Sequence, residues 1–462
     1  MQRISGLIVA AVLVSTVNGG PTAGGGALMI SGGSDLDFSD QRGALDIPTL
    51  LTAARGAPPV ICALAAQAVR GFGWGGNWSD APSTPLASFA SYRQESDGSR
   101  LSPSDTELLL AALASDDACV RELAVRVLGQ YKNEAVVNGL ITRLTAPSSS
   151  LREVAALGLG MMATSRAVDP LIRALRDSDP GVRANAAWAL GHTENGRALS
   201  PLLALFRDDA DKVREAAVIA TGRLDSSSAV SSLIRVVRQD QSPSVRRAAA
   251  WALGQLEARE GAEALAGALT QDSDARVREM AAWALGKLES RSAAQALASA
   301  ARRDADDRVR ETAVWALAQL EDRSSLGALG AIAANDRSSR VRGTAAWAIG
   351  QLGRGPAPAG LLQVLRDESD DARLKAAWAL GQIGDASALA AIKDALHREQ
   401  SDQVRKALIR ALLRSGERSE STLTELLSSN DPQVREAAVR GLAGHNSFNP
   451  WPWPWPRPRP YP

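Results

Sequence analysis

The sequence predicts an all-α fold built from stacked helix pairs. Three observations carry that prediction. A hydrophobic residue followed by Arg recurs along most of the 462 residues at intervals of 30 to 32. An Ala/Leu-rich run follows most recurrences, and a second apolar-periodic segment precedes them. No segment sustains the period-two alternation that a half-buried strand requires.

The marker dipeptides are Val120-Arg121, Leu151-Arg152, Val182-Arg183, Val213-Arg214, Val245-Arg246, Val277-Arg278, Val309-Arg310, Val341-Arg342, Val404-Arg405 and Val434-Arg435, with Ala372-Arg373 filling the one gap. Each unit reads as two helices. Pro170-Leu171-Ile172-Arg173-Ala174-Leu175 belongs to a first helix and Ala281-Ala282-Trp283-Ala284-Leu285-Gly286 to a second. A turn such as Asp177-Ser178-Asp179-Pro180 joins them, and the Gly near the end of the second helix reads as its C-terminal signal.

The ends of the chain differ from its middle. Residues 1–20 read as a signal peptide: Arg3 supplies the positive charge, Ile4 to Val17 is mostly apolar, and Asn18, Gly19 and Gly20 follow. That apolar stretch is short for a bilayer span, which needs about 20 residues. Residues 21–44 form a Gly/Ser-rich linker. Residues 45–70 align with the repeats, Pro48 matching Pro170 and Pro58 matching Pro180, and are expected to be a degenerate capping repeat. Residues 71–103 form a long insertion. Its Gly71-Phe72-Gly73-Trp74-Gly75-Gly76 matches GxGxxG, yet a helix precedes it and Asn77, Ser79, Asp80 and Pro82 follow, so a nucleotide site is not expected. Eleven repeats occupy residues 104–446. The tail, 447–462, alternates prolines with Trp451, Trp453, Trp455, Arg457, Arg459 and Tyr461, which favours polyproline II and suits the three Trp as anchors for binding.

The repeats resemble the HEAT-repeat family, in the short form named after phycobilisome-lyase HEAT-like repeats. The resemblance implies a right-handed α-α superhelix of about twelve helix pairs, with second helices lining a concave surface. It also implies that an Asp six residues before each marker Arg joins it in a buried ladder, here Asp177, Asp208, Asp240, Asp272, Asp304, Asp336 and Asp367, with Glu399 as the one replacement.

Composition narrows the function. Lys and Arg total 52 against 51 for Asp and Glu, a net charge of +1 that argues against a nucleic-acid partner. The two cysteines cannot build a four-thiolate zinc site, but in an exported chain Cys62 and Cys119 are candidates for a disulfide. The three histidines, His192, His397 and His445, share no metal-ligand spacing, so no metal and no cofactor is expected. Deoxyhypusine hydroxylase shares the fold but carries His-Glu pairs, which this chain lacks. The phycobilin lyases share the repeat without a transferable catalytic motif. An enzyme is therefore not expected, and no catalytic residues are assigned.

The candidate binding face comes from helical geometry. At about 100° per residue the core positions of a second helix centre near 300° from the marker Arg, and the residue five later falls near 140°. Trp188, Trp251, Trp283, Trp315, Trp347 and Trp378 hold that position, each followed one turn later by His192, Gln255, Lys287, Gln319, Gln351 or Gln382. Glu279 and Glu311 flank the central Trp residues. The arrangement is similar in logic to armadillo proteins of the importin-α type, in which Trp and an amide grip an extended peptide. The expectation is an exported scaffold, periplasmic or extracellular, with no membrane span in the mature chain. Its protein partner is expected in a Trp-lined groove, with its own C-terminal tail as one candidate occupant; the other reading of the Trp column is that the rings pack on each other and on neighbouring helices, sealing one helix row. The alternatives are a catalytic or maturation-factor subunit of the phycobilin-lyase type, and an envelope carbohydrate binder whose Trp rings stack on sugars.

Overall fold

The computed structural model describes residues 47–56, 101–131, 133–353, 355–417, 419–430 and 432–442. Among these residues there are 23 α-helices and no strand. The chain divides into two compact units between Leu224 and Asp225.

The first unit opens with α1 (Ile47–Ala54), followed by the pairs α2 (Pro103–Ala112) and α3 (Ala118–Gln130), α4 (Glu134–Arg143) and α5 (Ser149–Met162), α6 (Val168–Ala174) and α7 (Pro180–His192), and α8 (Leu199–Ala204) and α9 (Asp211–Arg223). The second unit contains α10 (Val230–Gln239) and α11 (Pro243–Gln255), α12 (Ala262–Gln271) and α13 (Ala275–Lys287), α14 (Ala294–Arg303) and α15 (Asp307–Gln319), α16 (Leu326–Asn335) and α17 (Ser339–Leu352), α18 (Ala359–Val364) and α19 (Asp370–Ile383), α20 (Leu389–Arg398) and α21 (Asp402–Arg414), and α22 (Glu420–Leu427) and α23 (Pro432–Leu442). Within each unit every second helix packs on its own first helix and on the second helices before and after it.

Local chemistry starts these helices. The Asp117, Asp179, Asp274 and Asp306 carboxylates accept N–H groups from the first turns of α3, α7, α13 and α15. Pro180 and Pro243 stand at first-turn positions, where the missing N–H costs nothing. Asp117 also accepts the Gly56 N–H at 2.7 Å, which ties the end of α1 to the start of α3. That bond, with those from Val120 and Cys119, holds its carboxyl below the usual value.

The helix ends correct one expectation. The Gly eight residues after the marker Arg is not a terminator; Gly254, Gly286 and Gly350 lie inside α11, α13 and α17 and are buried. The left-handed residue comes three positions later, and it is acidic at Glu194, Asp225, Glu257, Glu289 and Glu321, all with φ between 47° and 50°. Only the later repeats use Gly353, Gly384 and Gly416 there.

The Asp/Arg ladder exists, with a different register from the expected pairing within one repeat. Arg278 donates Nε and Nη2 to the Asp304 carboxylate of the next pair at 2.8 and 2.9 Å, while its Nη1 donates to the Asp272 carbonyl of its own turn at 2.9 Å. The same carboxylate bond joins Arg152 to Asp177, Arg183 to Asp208, Arg246 to Asp272, Arg310 to Asp336, Arg342 to Asp367 and Arg373 to Glu399. Each Arg thus closes its own turn through a backbone carbonyl and clamps the following repeat through a bidentate pair. The Arg152 bond holds the Asp177 carboxyl below its ordinary value. Burial pushes Asp272 and Glu399 upward, but the bonds from Arg246 and Arg373 outweigh it and leave both lowered.

Candidate functional site

The candidate face is the row of second helices. A two-faced helical wheel places the Trp residues on an open surface; the structure buries Trp188, Trp251 and Trp315 to between 4 and 7 % exposure and leaves Trp283, Trp347 and Trp378 half-buried. Burial of the first three fits the packing reading, and the other three keep part of their surface open. A second helix inside the stack has three neighbours, so positions on both flanks of the core stripe are covered as well.

Glycine explains how the rings fit. A Cβ built on Gly160 would meet Trp188 Cζ3 at 2.4 Å, and one on Gly254, Gly286 or Gly350 would meet the rings of Trp283, Trp315 or Trp378 at 2.6–2.7 Å. Trp188, Trp283, Trp315 and Trp378 therefore each lie over the Gly of the preceding second helix, and the Ala after the Trp approaches the same spot. Ala318 replaces Gly in the joint before Trp347. These four rings consequently form part of the floor of the face, and each packs one repeat against the one before it.

The rim is polar. Gln255, Lys287 and Gln351 are exposed, and Gln319, Gln382 and His192 are half-buried. In the first unit the His192 ring lies 4.1 Å from the Trp188 ring, and its Nδ1 is 3.0 Å from the Trp188 carbonyl. Burial lowers the His192 pKa to about 4, so the ring is neutral at pH 7.

On the opposite rim of the second unit, Glu279 and Glu311 are half-buried. Arg340 Nε binds Glu311 at 2.6 Å, and Thr344 Oγ1 donates to it at 3.2 Å, so α17 bridges to α15. No hydrogen bond or ion pair reaches the Glu279 carboxylate among the described residues. Burial raises both carboxyls; Asp306 and Glu311 add to this at Glu279, while Arg308 and Arg247 oppose it. Sequence reading missed a third column: Arg276, Arg308 and Arg340 stand two residues before successive marker Arg residues, and Arg308 and Arg340 act on Glu279 and Glu311 respectively. The 32-residue period itself was the signal that could have found them.

Among the described residues no group of His, Cys, Asp or Glu could hold a metal, and no helix is long and apolar enough to cross a membrane. Cys119 is disulfide-bonded. Cys62, the signal segment 1–20, the linker 21–44, most of the insertion and the tail anchors Trp451, Trp453 and Trp455 lie outside the described residues.

HEAT repeats match this chain over residues 106–177, 137–222, 230–318, 296–359, 326–413 and 358–443. Among solved structures, importin beta is similar at 15 % identity and a TM-score of 0.56, over 86 % of this chain and 61 % of its own. Yeast importin-beta is similar at 15 % identity and a TM-score of 0.51, over 86 % and 62 %. The CpcE and CpcF complex of phycocyanin lyase from Nostoc sp. is 25 % identical with a TM-score of 0.34, over 56 % of this chain and 98 % of that one. No curated protein matches the chain in sequence. The marker period, the paired helices and the HEAT-repeat matches across most of residues 106–443 agree: the chain belongs to the HEAT-repeat family.

Proposed function

We propose that this chain is an exported, non-enzymatic scaffold that binds an extended segment of a partner protein across the second helices of its second unit. The observation that carries this reading is the repetition of the rim. Exposed Gln255, Lys287 and Gln351 stand one turn beyond Trp251, Trp283 and Trp347 on successive or near-successive helices. Packed helices lie about 8–10 Å apart, and an extended chain rises about 3.3 Å per residue. A side chain that recurs once per helix therefore meets every third residue of an extended partner. The amides suit backbone groups, and the half-open edges of Trp283, Trp347 and Trp378 suit side chains.

Export is supported by the apolar run behind Arg3 and by the disulfide at Cys119, which fits an oxidising compartment. Intact mass of the secreted protein tests it: loss of about the first 20 residues is expected, and a retained Met1 contradicts export. The binding reading is tested by affinity capture from the secreted fraction with the triple variant Gln255→Ala/Lys287→Ala/Gln351→Ala. These side chains are exposed, so the helical circular dichroism should be unchanged while the partner is lost. A partner retained at wild-type yield contradicts the reading.

A further inference from the structure

The last helix pair is unfinished. Four residues after each marker Arg stands an apolar residue, and it is buried wherever a further repeat follows in the same unit: Val125, Ala156, Ala187, Ala250, Ala282, Val314, Ala346, Ala377 and Ile409 are all 0 % exposed. In α23 the same position is Val439, and it is 55 % exposed. Leu427, at the end of α22, is also open, and the one other exposed large hydrophobic among the described residues is Leu108, in the first complete pair. Among the described residues, exposed large apolar side chains are thus confined to the first and last helix pairs. A solenoid end needs a capping layer.

At the first pair, α1 packs on α2 and α3 and supplies part of such a layer. At the last pair the described helix stops at Leu442, and twenty residues of chain follow. We propose that the C-terminal segment 447–462 is the missing layer, with Trp451, Trp453 and Trp455 seated on the joint around Val439 and Leu427. Its composition fits the task. Alternating prolines leave few N–H donors to satisfy, so the segment can lie on an apolar face without a sheet or helix partner. Its Trp rings are the largest apolar surfaces the tail offers. Chain length suffices: the eight residues 443–450 can span about 25 Å when extended, against the 8–10 Å that separates packed helices. A second copy of the chain is the other candidate for this face, and the experiment separates the two.

Hydrogen exchange of the full chain provides the test, comparing wild type with Trp451→Ser/Trp453→Ser/Trp455→Ser. The variant should exchange at least about tenfold faster in α22 and α23, with α11 to α19 unchanged as internal controls. Val439→Asp should produce the same local loss. Equal exchange of α22 and α23 in wild type and the Trp variant overturns the proposal. So does protection of α23 that rises with protein concentration and ignores the tail substitutions, because that result assigns the face to a second copy. Neither outcome bears on the Gln255/Lys287/Gln351 rim, which partner capture tests by itself.

Discussion

Trp315 lies over Gly286 so closely that a Cβ on the glycine would sit 2.6 Å from Cζ3 of the ring. The contact joins α13 to α15, and its counterparts join α11 to α13 and α17 to α19. Gly286→Val should therefore destabilise the second unit by about 1–3 kcal/mol, the usual cost of overpacking a filled site. Urea unfolding followed by circular dichroism reads the change. Wild-type stability in this variant would mean that the ring moves aside freely. The natural Ala318 shows that one joint accommodates a single methyl, which is why the larger residue is the sharper test.

The ladder predicts an asymmetric response to truncation. Arg310 is 2 % exposed, and its guanidinium forms a bidentate bond with Asp336. Asp336→Ala leaves a buried charge without its carboxylate and should cost about 3–5 kcal/mol. Exposed pairs such as Arg197–Asp169 should cost about 1 kcal/mol or less when broken. Equal effects at the two sites, measured by denaturant midpoint, would remove the clamp role assigned to the ladder.

Strain at the helix ends predicts a gain. Glu289 is exposed and holds φ at 48°, a conformation that costs an L-residue roughly 1–2 kcal/mol and glycine almost nothing. Glu289→Gly should raise stability by about 0.5–1 kcal/mol after the greater flexibility of unfolded glycine is offset. A lower melting temperature for this variant would contradict the strain.

Acid should act in two directions. Burial raises the Glu279 carboxyl above its ordinary 4.5. Its charged form therefore opposes folding at neutral pH, and that penalty disappears as pH falls through the raised value. Glu279→Gln should be more stable than wild type at pH 7, with the difference shrinking toward pH about 4.5. The Asp177 carboxyl is lowered by Arg152 from its ordinary 3.8. Its contribution is complete above that value and is lost as pH falls through the lowered one. The second unit should accordingly gain stability at Glu279 on mild acidification, while the first unit loses the Asp177 contribution at lower pH. A pH-independent difference between Glu279→Gln and wild type would contradict the burial.

The fold was legible because each repeat restates the same instructions. The Val-Arg marker, the capping Asp179 or Asp274 and the Ala/Leu run act within one helix pair, so spacing along the chain reveals them. What escaped was contact between repeats. The Asp304 carboxylate lies six residues before Arg310 but bonds Arg278 of the preceding pair, and no single repeat shows that exchange. Gly286 looked like a helix terminator because its partner, Trp315, is 29 residues away, while the actual terminator, Glu289, lacks the residue type that usually signals one. The Trp column is legible from its spacing, but a wheel drawn for one helix omits the helices on either side, so it cannot decide between open and packed rings. Arg276, Arg308 and Arg340 were passed over for a simpler reason: charged residues near a helix start read as ordinary solvated surface.

The most direct test of the binding face is carbene footprinting of the full chain with and without its captured partner. Gln255, Lys287 and Gln351 should become protected, while Arg302 and Arg303 on first helix α14 keep their free-chain labelling. Protection confined to Arg302, Arg303 and the other first-helix side chains would place the partner on the wrong side of the repeats and contradict the account.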